Sequence, residues 1–395
     1  MSKKTHASFL ALVLILAVAG LISSKIEQPA EAASTQASTA LAKLPASDFI
    51  LLVDAQRLMT DTLPSFLATN PALLARVNAR IERSKEVAGI DLRTLDSIAI
   101  GARFTGASAN EFNFVAIAEG RFDANALIEA GFAAAKLRGV QREEQQYEGK
   151  TIFVIIPPQK KRPEQDSNKT ASTASNDKSE PVAEKRVEIG PATPCPDETP
   201  TFKASVTSPD RANASVKKKR AEEIAVVALD ANTLAFGNPE SVRAAIDTNA
   251  GRGHVDDELV ALATITPQAL IGFSGKIPPA VVEKFGGQST DPKIKLAASV
   301  RQFYGSVSAV GTDLETFLTL RTENATQAHE IKEALDALKL ISSFAVRRPS
   351  TGNHAKIRSL SDLVKELSIV DQGNEVQIRA KLTQAHLTPF MRSFN

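Results

Sequence analysis

The sequence predicts an α+β protein: two similar modules, each a mainly antiparallel sheet with helices packed on one face, plus a long disordered insert in the first module. Three observations carry this. Short apolar runs of strand length alternate with helical patterns of 3.6-residue period. Two stretches, "FVAIAEGRFDANALIEAGFAAAKL" from Phe114 and "FLTLRTENATQAHEIKEALDALKL" from Phe317, line up without a gap. Between Ile156 and Glu222 both periodicities stop.

The elements follow in order. In "LPASDFILLVDAQRL" Pro45 precedes a strand, Phe49 to Val53, and Asp54 can cap a short helix. "TNPALLARVNARIERSKEVAG" places Asn70 as N-cap and Pro71 at the first helical position, where its missing N–H costs nothing. Leu73, Leu74, Val77 and Ile81 share one face, and Gly89 closes the helix. "LDSIAIGARF" and "NEFNFVAIAEG" read as a strand pair, followed by a helix capped by Asp123. "YEGKTIFVII" is a Gly turn and a strand whose partner is "EIAVVALD", and "ANTLAFG" completes a hairpin around Asp230 to Asn232. Asn238 and Pro239 repeat the Asn-cap, Pro-first arrangement.

The second half reuses the order. Pro267 precedes a strand, Asp291 and Pro292 start a helix, "YGSVSAVG" and "LETFLTLRT" pair, and Thr326 to Leu340 is helical. In "DQGNEVQIRAKL" Val376, Ile378, Ala380 and Leu382 alternate with Gln377, Arg379 and Lys381, which marks a sheet with one dry and one polar face. The gapless match sets Phe114 against Phe317, Ile117 against Leu320, Asp123 against Thr326, Ile128 against Ile331 and Phe132 against Leu335. These are strand positions, a helix cap and one helical face, so an internal duplication is expected. The domains are then a signal peptide or membrane anchor (1–33), a spacer (34–43), a first module (44–255) interrupted by the insert (157–220), and a second module (256–395).

The opening segment is an address. Lys3 and Lys4 precede the apolar run Phe9 to Ile22, and Ala30-Glu31-Ala32 fits a small-x-small cleavage pattern. The run covers roughly 21 Å as a helix, against about 30 Å for a bilayer core. Export to the periplasm or the extracellular face is therefore expected, with an uncleaved inner-membrane anchor as the alternative.

The composition is globular, with 43% hydrophobic and 23% charged residues, enough to bury a sizeable core. Forty-seven basic and 45 acidic residues leave a net charge of +2, which gives no field for nucleic acid. Cys195 is the single cysteine, so no intrachain disulfide forms.

The insert is rich in Pro, Ser, Thr, Lys and Glu and cannot bury enough apolar surface to offset its ordering entropy. Closing about 64 flexible residues costs roughly 3 kcal/mol more than closing two. Its ends carry Lys160, Lys161 and Arg162 on one side and Lys217, Lys218, Lys219 and Arg220 on the other. Pairing of the flanking strands would gather these seven charges into a patch for an anionic partner, a polymer, a lipid surface or an acidic envelope protein. A solvated charged flank is the plainer reading of the same residues.

Other motifs point away from catalysis. His254 with Asp256 and Asp257 is the nearest approach to a metal cluster, and helix capping explains it better. Gly272, Gly275 and Lys276 have the wrong spacing for a phosphate loop. No G-x-S-x-G elbow occurs, no carboxylate pair stands out, and no metal or cofactor is expected.

The chain resembles a loose group of exported bacterial envelope proteins of unsettled function. The resemblance rests on Leu44-Pro45-Ala46 before a strand ending in Asp54, on "GIDLRTLDSIAIG", on "YEGKTIF", and on "LDANTLAFGNPESVRAAID". It covers about 44–156 and 221–250, and 256–395 more weakly, and it carries over no catalytic residue. The expectation is a non-enzymatic exported cell-envelope protein with a binding or scaffold role. A carrier of lipid or another apolar ligand is the first alternative, and a hydrolase the second.

Overall fold

A strand that is apolar at successive positions needs cover on both faces. Phe49–Asp54 (β1) has it, with Ile50 at 0% and Leu52 at 8% exposure on one face and Leu51 at 6% on the other. We call the Ile50 side face A and the Leu51 side face B. The computed structural model describes residues 39–156, 223–345 and 363–383, apart from positions 69, 89–90, 107–110, 137–138, 287–289 and 312. In it β1 pairs antiparallel with β2 (Leu95–Phe104) on one side and with β8 (Ile271–Lys276) on the other.

The remaining elements of the first half are a helical segment α1 (Ala55–Arg57, a π-helical turn Leu58–Thr62, and Leu63–Leu67), α2 (Pro71–Ala88), β3 (Phe112–Gly120) and α3 (Ala124–Lys136). β4 (Gln141–Tyr147), β5 (Lys150–Ile156), β6 (Ile224–Asp230), β7 (Thr233–Gly237) and α4 (Pro239–Asn249) complete it. The second half holds α5 (Asp257–Ala263), β8, α6 (Pro279–Gly286), α7 (Pro292–Ala297), β9 (Val300–Val310) and β10 (Asp313–Thr322). It ends with α8 (Ala325–Ala345), β11 (Ser368–Gln372) and β12 (Glu375–Leu382).

The α+β class holds, and the sheet is antiparallel throughout. The two halves share it: twelve strands run in the order β11-β12-β10-β9-β8-β1-β2-β3-β7-β6-β5-β4. Leu51 faces Phe273 across the β1–β8 seam, and on either side the chain steps outward through its next two strands. β5 pairs with β6, Ile155 opposite Ile224, so the strands flanking 157–222 are neighbours. The insert itself, the first 38 residues and Gly89 lie outside the described residues.

Helices were expected on one face and occupy both. Face A of the first half is covered by residues 39–42, α4 and α5, which bury Ile50, Leu52, Ala99, Val115, Ile117, Ile152 and Val227. Face B carries α1 and α2 over Leu51, Ile100, Ile271 and Phe273, and α8 over Leu320, Val376 and Ile378. Strands β1, β3 and β5 present apolar side chains on both sides, so a single helical layer would leave one side wet.

The register also corrects the internal match. Ile100 pairs with Leu51 and with Ala116, and Gly305 pairs with Phe273 and with Leu318. The seam therefore equates Ala116 with Leu318 and Phe114 with Thr316, one position away from the gapless alignment. A one-residue slip turns every side chain to the opposite face: Phe114 lies on face B and Phe317 on face A. The helix cap shifts too. Asp123 caps α3 as expected, accepting from Ala126 N at 3.0 Å, but Asn324, not Thr326, caps α8, accepting from Gln327 N at 3.0 Å. Asn70 caps α2 through Leu73 N at 3.2 Å. Asn238, by contrast, spends its side chain on Phe114 N at 2.7 Å and so ties α4 to β3.

Two predictions follow from these pairings. Because β5 and β6 already pair, replacing 157–222 by a short Gly-containing turn is expected to preserve the fold and raise unfolding free energy by about 2–3 kcal/mol through cheaper loop closure. A urea titration measures this, and loss of cooperative unfolding in the shortened chain refutes it. The second concerns His329 on α8, whose Nδ1 lies 2.8 Å from Asp371 of β11 and whose Nε2 lies 3.4 Å from Glu333. The Asp371 hydrogen bond, then Glu333, holds this imidazole above its ordinary value near 6.5. A raised folded value means the protonated ring stabilises: the contribution is complete below the unfolded value and fades as pH rises through the folded one. His329→Gln should remove that fall, and unfolding curves across neutral pH that stay parallel for the two proteins contradict it.

Candidate functional site

The same face of the sheet is dry in one half and polar in the other. Beyond α5, which packs on β1, β8 and β9, no described helix covers face A of the second half. The ladder places Tyr304, Ser306, Phe317, Thr319, Arg321, Glu375, Gln377 and Arg379 there. Where the first half has Ile117, the second has Thr319, which is fully buried with its hydroxyl lacking a hydrogen-bond partner. The rings of Tyr304 and Phe317 meet edge to face at 6.1 Å, Arg379 lies 5.3 Å from the Phe317 centroid, and Arg321 lies 5.6 Å from that of Tyr304. Cation, ring, ring and cation thus form one file across β12, β10 and β9, each guanidinium held by the negative ring face.

Charge continues from this file to the seam. Arg321 grips Glu375 at 2.8 and 2.9 Å, and Glu375 also accepts from the Tyr304 hydroxyl at 3.2 Å. Arg321 reaches Gln302 and Glu258 as well, the latter at 3.3 Å. Glu258 accepts from Lys276 at 2.8 Å, and Lys276 donates to Asp256 at 2.7 Å. Hydrogen bonds to the two carboxylates, Asp256 first, hold the Lys276 ammonium above its ordinary range, while Lys276 holds Asp256 and Glu258 below theirs. These shifts keep Lys276, Asp256 and Glu258 ionised at neutral pH, with the ammonium countered by the two carboxylates.

Two open clefts flank this network at the strand ends. Both are lined by Asp48, which accepts from Phe104 N at 2.9 Å through its carboxylate and from Lys276 N at 2.7 Å through its carbonyl. The first, 510 Å³, is lined by Ser47, Asp48, Arg103, His254, Asp256 and Asp257. The second, 460 Å³, is lined by Lys276, Pro278, Pro279, Arg301, Gln302 and Arg321. One is mainly acidic and the other mainly basic, so the edge offers adjacent contacts of both signs. Ser47 donates its hydroxyl to the Pro45 carbonyl at 2.8 Å, and His254 makes no hydrogen bond with a described residue.

Of the residues singled out from sequence, Lys160, Lys161, Arg162, Lys217, Lys218, Lys219, Arg220 and Cys195 lie outside the described residues. Asp256 is the N-cap of α5, accepting from Glu258 N at 2.9 Å, as the capping reading of the His254 cluster had it. Gly272 and Gly275 belong to β8, and both are there for space. A Cβ on Gly272 would sit 1.9 Å from the Ala263 carbonyl oxygen, and one on Gly275 2.7 Å from the Phe303 ring. Sequence reading missed the Tyr304–Arg321–Glu375–Glu258–Lys276 network, whose members are brought together from five separate elements. Its one local trace is the polar alternation of β12.

Among the described residues no group of His, Cys, Asp and Glu could hold a metal ion, and no helix is long and apolar enough to cross a membrane. No protein family matches the chain, and no curated protein matches its sequence. Among solved structures, crystal form III of TP0453 is similar with 9% identity and a TM-score of 0.41, covering 90% of this chain and 98% of that one. Crystal form I gives 10% and 0.37, covering 89% and 96%. Crystal form IV gives 9% and 0.39 over the same shares. At this distance nothing is transferred from TP0453 to this chain.

Proposed function

We propose that this is a non-enzymatic exported protein of the cell envelope, and that it holds a protein or polymer partner on face A of its second half and in the adjoining clefts. One observation supports the reading: the face that helices close in the first half is left polar in the second, with a file of Arg379, Phe317, Tyr304 and Arg321 along it. Aromatic and arginine side chains in contact are the combination that interfaces favour. The basic runs 160–162 and 217–220, neighbours in sequence of the paired strands β5 and β6, are a proposed second contact for an anionic polymer or lipid surface. The carrier and hydrolase readings need an enclosed apolar cavity or a nucleophile joined to its base, and neither gains support from two clefts that are both open to solvent.

A photo-crosslinking residue placed at the exposed position 379 in cells is expected to capture a discrete envelope component. The same residue at Glu143, on the far edge strand β4, is expected to capture none. Arg321→Ala, which unlinks Glu375, Gln302 and Glu258, should reduce the yield at 379 severalfold. Equal labelling at 379 and 143 would sink the assignment of the face. For the basic runs, binding to anionic vesicles should fall on neutralising all seven charges, and unchanged retention rules that contact out.

A further inference from the structure

The two halves differ in how many strands they carry outward from the seam. β12 and β11 take the places beside β10 that β7 and β6 take beside β3, but the first half continues with β5 and β4 and the second stops at β11. In chain order the β11–β12 hairpin follows its crossover helix as β4–β5 does. By position in the sheet it matches β6–β7, so the similar Gly turns at Gly149 and Gly373 are not in equivalent places. Among the described residues the second half is one hairpin short, and β11 is its outermost strand.

That edge differs from the opposite one. β4, QREEQQY, presents charged and amide side chains along its length, which is how natural edges are guarded. β11, SIVDQ, has Val370 at its centre, 52% exposed. The crossover helix above it is also open. Ala328, Ile331 and Leu335 of α8 pack on Val376, Ile369 and Ile378. Leu338 and Ile341 continue the stripe at three-residue spacing, yet are 58% and 63% exposed. Lys339, between them, donates to the Leu367 carbonyl just before β11, so the exposed Leu338 and Ile341 lie beside the edge strand.

We propose that a second copy of this chain pairs here, β11 against β11 in antiparallel register about a two-fold axis at Val370, with Leu338 and Ile341 of the two α8 helices meeting across it. The register is self-complementary: Val370 faces Val370 and Asp371 faces Ile369. Within β11 the only charged side chain near the axis is Asp371, already hydrogen-bonded to His329. The chain uses the same joint internally, where β1 and β8 pair antiparallel with Leu51 and Phe273 at the centre. A five-residue strand pair is smaller than the roughly 1,200 Å² of a stable specific interface. The helix ends supply the rest.

Sedimentation of the full chain in mild detergent tests this. A dimer is expected, and Val370→Lys should shift it to the monomer mass, as should Leu338→Glu with Ile341→Glu, each with unchanged far-ultraviolet circular dichroism. Gln145→Lys on β4 should leave the dimer intact. In a Cys195→Ser background, Val370→Cys should oxidise to a covalent dimer, since the axis sets the residue against itself, whereas Gln145→Cys should not. A wild-type monomer, or a dimer indifferent to Val370→Lys, overturns the proposal.

Discussion

Where β1 meets β8, five residue pairs from Phe49–Gly275 to Val53–Ile271 join two half-sheets into one. Both major cores straddle this joint. On face A, Ile50 and Leu52 share their cluster with Leu259 and Ala263 of α5. On face B, Leu51 shares its cluster with Ile271 and Val307. Each of the Val, Leu and Ile side chains among these is worth about 1.5–3 kcal/mol when buried. Neither half could bury its share without the other, so the two modules are parts of one folding unit. Close packing of its neighbours is also why β8 carries Gly272 and Gly275: the Ala263 carbonyl at the end of α5 and the Phe303 ring of β9 fill the space a side chain would need.

The joint also fixes where the candidate surface lies. A two-fold relation through a sheet keeps each face on its own side, so both halves inherit the same face A. The first half closes it with α4 and residues 39–42. Lys43 anchors the latter by donating to Glu119 at 2.7 Å and to Asp230 at 2.9 Å. The second half has no such cover among the described residues, and its face A has Thr319 where the first has Ile117, Phe317 where it has Val115, and Gln377 and Arg379 where it has Ala235 and Gly237. Apolar residues left open there would be an aggregation hazard, which polar ones avoid.

Much of the fold was legible, because strand and helix periods, Pro-first helices and Asx caps are local signals. Asn70, Asp123 and Asp256 all cap the helices that their neighbours predict. The continuous run FILLV announced a strand, and the alternation in β12 announced its two unlike faces. The register of the repeat was not legible. Matching Phe114 to Phe317 by residue type rewards similar hydrophobicity, whereas the sheet equates positions by hydrogen bonding, and the two disagree by one residue. The irregularities at Leu95/Ser97 and Arg321/Thr322 show how a strand absorbs such a slip without breaking the pattern. Faces were legible only strand by strand, so helices on both sides went unseen.

The site was almost illegible, for a related physical reason. A local motif announces itself when function needs fixed spacing, as a phosphate loop or a nucleophile elbow does. Here the network is assembled across strands: Lys276, Gln302, Arg321 and Glu375 lie near strand ends on β8, β9, β10 and β12, and Glu258 comes from the first turn of α5. Each looks like an ordinary surface charge in sequence. Only the order β8-β9-β10-β12 makes them neighbours, and that order depends on β12 returning beside β10 after α8 has crossed over it. The chemistry of the face is therefore a product of topology, and it could change by substitution at any of five distant positions without leaving a mark on a local motif.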